Sequence, residues 1–238
     1  MSTRRPPFQA RVEQILDLTS SVRDLRLNLL DSKDFSFRCG QFVMLHIPGD
    51  PKPVLRAYSV ASSDQDPGAL RLIFKFVPGG KASEFIWKLH QGEILNLTGP
   101  FGRVFFVEPP PDQVVFVSTS TGLAPHLSYL LSKKTALQKS KVVLYFGVRS
   151  ESDIFCEKDL LAIQKDWPQF QYHVVLSRPD LHWTGRKGYV QDFLHETHYQ
   201  KHRTDFYLCG NGQMIKETQE LLERNGIGPD QIHSEAFY

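Results

Sequence analysis

A short segment in the first half of the chain combines three side chains that could together hold an anionic, aromatic ligand. Arg56, Tyr58 and Ser59 lie within four consecutive residues. An arginine guanidinium forms strong, charge-assisted hydrogen bonds with phosphate, a tyrosine ring offers a flat face for stacking, and a serine hydroxyl can bond a ring nitrogen. An ordinary strand that carries a tyrosine is the alternative interpretation.

Two glycine-containing turns each precede a predicted helix. Gly79–Ser83 leads into an amphipathic helical pattern, and Ser118–Pro125 follows a buried-type run at the start of another helix. The start of a helix presents free backbone N–H groups and the positive end of the helix dipole, so either turn could bind phosphate. The sequence lacks the dinucleotide fingerprint G-x-G-x-x-G. A plain helix cap is the alternative for the first turn.

Two further side chains could take part in chemistry near the end of the chain. Cys209 ends an apolar strand pattern where the last long helix begins, and Glu235 lies among the last four residues. A small, polarizable thiol can help to place a ring without acting as a nucleophile, and a carboxyl group can move a proton or orient a ligand. A structural buried cysteine and an unstructured chain end are the alternatives.

The elements that must position these groups in the first half are mainly strands. Apolar and polar residues alternate over Phe8–Val12, Leu25–Leu29 and Leu70–Phe76, which predicts strands with one buried face. Frequent turn residues favour an antiparallel barrel or sandwich. Ala82–Leu89 has helical spacing, and the strand pattern resumes at Ile94–Leu97.

The second half has a different pattern, which begins after a proline-rich segment. Glu108–Asp112 contains three consecutive prolines and is predicted to be a stiff linker. Beyond it, apolar strand patterns alternate with helical patterns, which predicts a parallel sheet covered on both faces. We therefore expect two domains, residues 1–107 and residues 108–238. The strand patterns, each followed by a helical pattern, are Val114–Val117, Val142–Phe146, Tyr172–Leu176 and Phe206–Leu208.

Together, the motifs from about Phe8 to Tyr238 resemble those of the ferredoxin–NADP reductase family. The segment Arg56–Ser59 resembles the RxYS flavin signature of the family, and Gly99–Gly102 resembles its late glycine-proline turn. The resemblance implies an N-terminal antiparallel six-stranded Greek-key β-barrel that binds FAD, followed by a Rossmann-like parallel α/β domain that binds NAD(P). The FAD-binding residues that it implies are Arg56, Ala57, Tyr58, Ser59, Gly80, Lys81, Ala82 and Ser83.

The resemblance also implies where the nicotinamide nucleotide binds. Thr121 and Gly122 match the family turn that holds the pyrophosphate, although the family usually has glycine at the position of Ser120. The segment from Cys209 and Gly210 to Met214 resembles one whose cysteine flanks the nicotinamide. The chain end resembles the acidic and aromatic family C-terminus, in which Phe237 or Tyr238 would stack on the flavin. The candidate catalytic residues are therefore Ser59, Cys209 and Glu235.

Selection between NADPH and NADH depends on groups that could bind the adenosine 2′-phosphate. Ser177, Arg178 and Tyr189 match positions that NADPH-selective relatives use, and Lys187 lies beside them. However, Arg178-Pro179 followed by Trp183–Arg186 is also similar to NADH-dependent oxygenase reductases. We expect NADPH, with NADH as the alternative.

Composition limits the partners and the compartment. A formal net charge of +2 argues against general affinity for nucleic acid. The sequence has no signal peptide and no long apolar stretch, so we expect no stable membrane insertion and a cytoplasmic protein. Cys39, Cys156 and Cys209 are too few and too far apart for a cysteine-ligated cluster. His195 and His198 do not form a metalloprotease motif, so no metal is expected.

The resemblance implies an enzyme that transfers hydride from NADPH to FAD and then passes electrons to a separate carrier. Ferredoxin or flavodoxin is the expected acceptor, since the sequence contains no second redox centre. A docking surface for such an acidic carrier would need cations, which the barrel half has at Arg4, Arg5, Lys33, Arg38, Lys75 and Lys81. The alternatives are an NADH-dependent reductase component of an oxygenase system, a free-flavin reductase, and a redox-sensing module without catalytic activity.

Overall fold

The computed structural model describes residues 6–30, 35–66 and 68–237. The chain divides into two units, Met1–Phe105 and Phe106–Tyr238. Each unit is built around one six-stranded sheet.

The first unit is an antiparallel barrel. Its strands pair in the order β4-β3-β6-β1-β2-β5, and a bridge between Val60 and Leu72 links the two edges of the sheet. This arrangement confirms the predicted six-stranded Greek-key barrel. Its elements are β1 (Phe8–Thr19), β2 (Val22–Leu29), β3 (Phe42–Ile47), β4 (Val54–Ser59), β5 (Ala69–Lys75), α1 (Lys81–Trp87) and β6 (Ile94–Phe101).

The alternating apolar residues of the barrel strands form its core. Val12, Leu25, Leu45 and Leu72 are completely shielded from solvent, as the two-residue period of a strand predicts. The strands that pattern alone did not identify are β3 and β4, and β4 carries the RxYS signature. Three of its six residues are exposed, so β4 lacks the simple alternation of the other strands.

The second unit is a parallel sheet with helices. Its strands have the order β10-β9-β8-β7-β11-β12, and every pair is parallel, which confirms the predicted Rossmann-like α/β architecture. Short 3-10 turns connect several elements. The regular elements are β7 (Gln113–Thr119), α2 (Leu123–Lys133), β8 (Lys141–Val148), α3 (Glu157–Asp166), β9 (Phe170–Leu176), β10 (Arg186–Lys187), β11 (Thr204–Asn211), α4 (Gly212–Arg224) and β12 (Ile232–Phe237).

Two details of the second unit differ from the sequence pattern. No α-helix directly follows β9; instead the chain forms the two-residue β10 and then a 3-10 segment, Val190–Thr197. Residues Ile232–Phe237 form β12, which pairs in parallel with β11, so this segment is held by the sheet. The strand was not recognisable because its six residues are all partly accessible and lack an apolar alternation.

The proline segment predicted as a linker is bonded within the second unit. Lys133 forms an ion pair with Glu108 at 2.6 Å, and the Ser140 hydroxyl donates to the Pro111 carbonyl oxygen at 2.6 Å. Arg203 also pairs with Asp112. The division between the units falls earlier, between Phe105 and Phe106.

None of the helices in the described residues combines the length and the apolar character that a membrane-spanning helix requires.

Candidate functional site

Strand β4 presents its signature side chains on alternating faces. It pairs antiparallel with β3, and Tyr58 lies opposite the buried Val43. Since successive side chains of a strand point to opposite faces, Arg56 and Tyr58 share one face, and Ala57 and Ser59 share the other. β4 stands at one end of the pairing order, at an edge of the sheet, and its residues Arg56 and Ala57 are exposed.

Tyr58 supplies a neutral aromatic ring that the barrel core holds in place. It is half-buried, and its ring centroid lies 4.4 Å from that of Phe74 at an interplanar angle of 59°. Burial raises the pKa of Tyr58 to about 12, although the charge of Arg56 acts in the opposite direction. The phenol therefore stays uncharged near neutral pH and is suited to stacking on a planar heterocycle.

The polar groups of β4 remain available for a ligand. Ser59 is only 6% exposed, yet its hydroxyl forms no hydrogen bond with any described residue. Arg56 donates from Nη1 to the carbonyl oxygen of Leu55 at 2.9 Å and has no ion-pair partner in the described ranges. A cation, a neutral ring and an unbonded hydroxyl fit the pyrophosphate, the ring system and a ring nitrogen of FAD.

The turn before α1 contains the other predicted FAD-binding residues. Gly79 has a φ of +71°, which favours glycine, and no side chain caps the start of α1 at Gly80. The Ser83 hydroxyl accepts a hydrogen bond from the Val77 N–H at 2.8 Å, and its own hydrogen remains available to a ligand. Lys81 is exposed, whereas Ala82 packs against the barrel core.

The second unit brings two glycine turns into close contact at the carboxyl ends of neighbouring strands. We call Thr119–Gly122, which begins with the last residue of β7, the first glycine turn. We call Cys209–Asn211, at the end of β11, the second glycine turn. A Cβ on Gly122 would overlap the carbonyl oxygen of Cys209 and lie 2.8 Å from the Cα of Gly210. Neither turn has room for a larger residue at its glycine, so this packing requires glycine on both sides.

The two glycine turns differ in whether their backbone N–H groups are already bonded. No side chain caps the 3-10 turn Ser120–Gly122 or the start of α2. In contrast, the Asn211 side chain accepts hydrogen bonds from the first N–H groups of α4. No side chain therefore competes for the N–H groups at the start of the first glycine turn, and those that the 3-10 hydrogen bonds do not use fit the pyrophosphate of NAD(P).

Cys209 and Glu235 lie opposite each other in the parallel pairing of β11 with β12. Burial raises the pKa of the Cys209 thiol well above its usual value, and the charge of Glu235 adds to this effect. Burial also raises the pKa of Glu235 to about 7. The pair thus combines an uncharged thiol with a carboxyl group that can gain or lose a proton near neutral pH.

The remaining residues predicted near the nicotinamide fall into different environments. Met214 lies on the buried face of α4, where its sulfur accepts a hydrogen bond from the Thr218 hydroxyl at 3.6 Å. Phe237 is 37% exposed and lies opposite Asn211 in the sheet. Tyr238, the other candidate stacking ring, lies outside the described residues.

The predicted 2′-phosphate groups lie near the carboxyl ends of β9 and β10. β10 pairs with β9 so that Lys187 is opposite Leu176, directly before Ser177. Arg178 and Lys187 are exposed, and Tyr189 is 64% exposed. These four groups, Ser177, Arg178, Lys187 and Tyr189, therefore lie on neighbouring segments.

The structure places a further cation, Arg149, beside the predicted 2′-phosphate groups. The Arg178 N–H donates to the Arg149 carbonyl oxygen at 2.7 Å, so the two arginines lie on adjacent backbones. Both are exposed, and neither has an ion-pair partner among the residues described. Its position directly after the apolar run of β8 was a signal that the sequence already contained.

The described residues contain no cluster of three or more His, Cys, Asp or Glu side chains that could hold a metal ion.

Comparison with known proteins agrees with this division of the chain. An oxidoreductase FAD-binding domain model matches residues 9–106, and an oxidoreductase NAD-binding domain model matches residues 116–220. Ferredoxin–NADP reductase B of Sorangium cellulosum is 32% identical over 240 residues, covering 97% of this chain and 98% of that protein. The chain belongs to the ferredoxin–NADP reductase family. It is a flavin-dependent oxidoreductase that binds FAD and NAD(P).

Other relatives share the fold and, in some cases, have additional length. A component of the Na⁺-translocating NADH-quinone reductase of Neisseria gonorrhoeae is 26% identical over 91% of this chain, which spans 64% of its length. A cytochrome P450 reductase of Amycolatopsis is 28% identical with a TM-score of 0.86, covering 98% of this chain and 71% of that one. A ferredoxin–NADP reductase of Neisseria gonorrhoeae, solved with FAD and NADP, is 22% identical with a TM-score of 0.86 over 98% of this chain and 99% of that one, and shares the fold.

Proposed function

We propose that the protein is an FAD-dependent reductase that oxidises NADPH and passes electrons to a separate protein carrier, ferredoxin or flavodoxin. The observation that carries this proposal is the 32% identity to a ferredoxin–NADP reductase over nearly the full length of both chains. When bound, FAD accepts a hydride from the nicotinamide and can release its electrons one at a time.

In this proposal residues 1–107 form the FAD-binding domain. Arg56 and the turn at Gly80–Ser83 neutralise the pyrophosphate, because a guanidinium and free helix N–H groups stabilise phosphate charge. Tyr58 orients the flavin ring by stacking. The buried Ser59 hydroxyl holds a hydrogen bond to a ring nitrogen, which its lack of a protein partner supports.

Residues 108–238 form the NAD(P)-binding domain in the same proposal. The N–H groups at the start of the first glycine turn, which no side chain caps, hold the pyrophosphate with the Thr121 hydroxyl. Cys209 and Gly210 form a small, uncharged wall for the nicotinamide. The neutral thiol supports a role in positioning, since a nucleophilic cysteine would need a lowered pKa.

Glu235 is proposed to hold or move a proton beside the nicotinamide. A general acid or base works best when its pKa is close to the operating pH. Burial raises the pKa of Glu235 to about 7, so both of its protonation states are populated near neutral pH.

The cations at Arg149, Arg178 and Lys187 support NADPH as the electron donor. Two unpaired guanidinium groups on adjacent backbones suit the 2′-phosphate.

We expect R149A and R178A each to weaken NADP⁺ binding about tenfold, because each removes one charged hydrogen bond, and to leave NAD⁺ binding unchanged. R11A, which replaces an exposed arginine on β1, is the control, and titration of all three variants with both nucleotides measures the effect. Equal losses for NADP⁺ and NAD⁺ would contradict the assignment.

The proposed acceptor is supported less by surface charge than by sequence identity. Lys75 donates to the Ser21 hydroxyl at 2.7 Å, and the Arg38 guanidinium lies 4.1 Å from the Phe105 ring centroid. Both cations therefore have partners within the barrel unit. Arg38 and Lys81 are exposed there, whereas Lys75 is half-buried. Arg4, Arg5 and Lys33 lie outside the described residues.

A second candidate function is the NADH-dependent reductase component of an oxygenase system. The 28% identity and TM-score of 0.86 to a cytochrome P450 reductase favour it. In both candidates the protein delivers electrons to another protein, and only the donor and the acceptor differ.

An acceptor assay separates these functions. Purified protein with bound FAD is mixed with NADPH and, in parallel, with ferredoxin, flavodoxin, a cytochrome P450 or free FMN. We expect reduction of ferredoxin or flavodoxin at least about tenfold faster than that of the other acceptors. Preferential reduction of free FMN, or loss of FAD during purification, would instead identify a free-flavin reductase.

A further inference from the structure

Thr119, the last residue of β7, joins the two glycine turns. Its hydroxyl oxygen accepts a hydrogen bond from the backbone N–H of Asn211 at 2.9 Å. A Cβ on Gly210 would overlap the same oxygen. Thr119 therefore packs directly against the backbone of the second glycine turn while belonging to the first.

Asn211 connects this hydrogen bond to the elements that carry the reactive side chains. Its side-chain oxygen caps α4 by accepting from two backbone N–H groups, at 2.9 and 3.2 Å. It also lies opposite Phe237 in the pairing of β11 with β12, two residues beyond the Cys209–Glu235 pair. A displacement of the Asn211 backbone would therefore move the start of α4 and alter the position of Cys209 and Glu235.

The neighbouring hydroxyl groups do not make this connection. Ser118 is fully buried and bonds a carbonyl oxygen of β8. The hydroxyls of Ser120 and Thr121 have no hydrogen-bond partner among the described residues. Of the four consecutive hydroxyl side chains, Thr119 alone thus bonds the second glycine turn within the part of the chain that the structure describes.

We propose that Thr119 is a positioning residue that couples binding of the nucleotide pyrophosphate to the placement of Cys209 and Glu235. The inference rests on the proposed function, which places the pyrophosphate at the N–H groups that directly follow Thr119. Ordering of the first glycine turn by the pyrophosphate fixes the Thr119 hydroxyl, and the hydrogen bond to Asn211 fixes the second turn. Binding energy from a part of the nucleotide that does not react is thereby used to orient the part that does.

Two substitutions separate the hydroxyl from the volume of the side chain. Thr119→Val keeps the shape but removes the acceptor, which leaves the Asn211 N–H without its protein partner. Thr119→Ser keeps the acceptor and removes the methyl group. Both variants are prepared with FAD bound, and each is compared with the unaltered protein.

The first readout is amide hydrogen exchange in the segment Cys209–Met214, which requires no nucleotide. We expect exchange at the Asn211 amide to be about tenfold faster in Thr119→Val, because this amide loses its hydrogen bond with the Thr119 hydroxyl. Thr119→Ser should exchange like the unaltered protein. This measurement reports the hydrogen bond whether or not the proposed function is correct.

The second readout separates binding from reaction. With Thr119→Val, the rate of flavin reduction by saturating NADPH should fall about tenfold, since misplacement of a reacting ring by less than 1 Å is sufficient for such a loss. Binding of 2′-AMP, which lacks the pyrophosphate and the nicotinamide, should be unchanged. Thr119→Ser should restore the rate.

Three results would overturn the inference. Unchanged amide exchange and unchanged reduction in Thr119→Val would show that the hydrogen bond is dispensable. Equal losses in Thr119→Val and Thr119→Ser would show that keeping the hydroxyl is not sufficient for the rate, and weaker binding of 2′-AMP would indicate general damage. Failure of the unaltered protein to bind either nicotinamide nucleotide is a different result, which would overturn the proposed function together with the coupling.

Discussion

The two units hold their candidate ligand-binding groups in opposite ways. In the barrel, the groups are side chains on the edge strand β4, where Arg56 is exposed and Tyr58 rests on Phe74. In the α/β unit, they are mainly backbone groups of two interlocked glycine turns. The exposed Arg56 can be replaced without disturbing the core, whereas Gly122 and Gly210 have no space for one methyl group. We therefore expect a substitution of Arg56 to affect ligand affinity alone, and substitutions of these two glycines to affect folding together with affinity.

The largest expected effect follows from Gly122→Ala. The new methyl group would overlap the carbonyl oxygen of Cys209, so one of the glycine turns must move. We expect a loss of about 3 kcal/mol in the free energy of unfolding, and NADP⁺ affinity reduced below the measurable range. Urea unfolding and NADP⁺ titration of the variant measure both quantities.

Gly212→Ala is the matched control for this prediction. A Cβ on Gly212, at the start of α4, has no heavy atom within 4 Å. The substitution should leave the free energy of unfolding unchanged or raise it by about 0.5 kcal/mol. If Gly122→Ala were as stable as Gly212→Ala, the close packing of the glycine turns would not be needed for folding.

Glu235→Gln should produce the next largest effect. Loss of the titratable group should lower NADPH-driven turnover about 100-fold and remove the dependence of the rate on a group with a pKa of about 7. A pH–rate profile of the variant checks this, with the exposed Glu223→Gln on α4 as the control. A profile identical to that of the unaltered protein would exclude Glu235 as the proton-handling group.

The raised pKa of Glu235 also predicts how stability varies with pH. Between the usual value of 4.5 and about 7, the folded protein keeps a proton that the unfolded chain has lost. Glu235 therefore makes the folded state less stable as the pH rises through this window, and its contribution becomes constant above it. Relative to the unaltered protein, Glu235→Gln should become more stable across the same window.

Arg56→Ala tests the barrel, where the candidate ligand-binding groups are side chains of β4. FAD affinity should fall about 30-fold, equivalent to about 2 kcal/mol for a lost charged hydrogen bond. The thermal stability of the protein without FAD should not change, because the side chain is exposed and bonds only its neighbour Leu55. Arg11→Ala, an exposed position on β1, is the control. A loss of stability in the FAD-free variant would remove the contrast between the two units.

The smallest expected effect concerns Ser120, which has glycine-like backbone geometry in the first glycine turn. Its φ of +52° is unfavourable for serine. Ser120→Gly should raise the free energy of unfolding by about 0.5–1 kcal/mol, since it relieves the left-handed strain. Urea unfolding measures the change, and a decrease in stability would show that the serine side chain stabilises the turn.

The sequence predicts the architecture better than the local arrangement of the site. Alternation identified β1, β2 and β5, because one face of each strand is buried in the barrel. It did not identify β4 or β12, because these strands lie at sheet edges and their partly exposed residues do not alternate between apolar and polar. The motifs located the glycine turns, yet the hydrogen bond from Asn211 to Thr119 joins residues 92 positions apart and needs the fold to be known. The position of Arg149 directly after an apolar run is a signal in the sequence, but its proximity to Arg178 follows only from the pairing of neighbouring strands.

Anaerobic stopped-flow mixing of the FAD-bound protein with NADPH tests the central claim most directly. The protein is proposed to take electrons from NADPH into its flavin, so the absorbance of oxidised FAD should disappear rapidly. NADH at the same concentration should act at least about tenfold more slowly, because it lacks the 2′-phosphate that Arg149 and Arg178 would bind. Persistence of the oxidised flavin spectrum with both nucleotides would contradict the account.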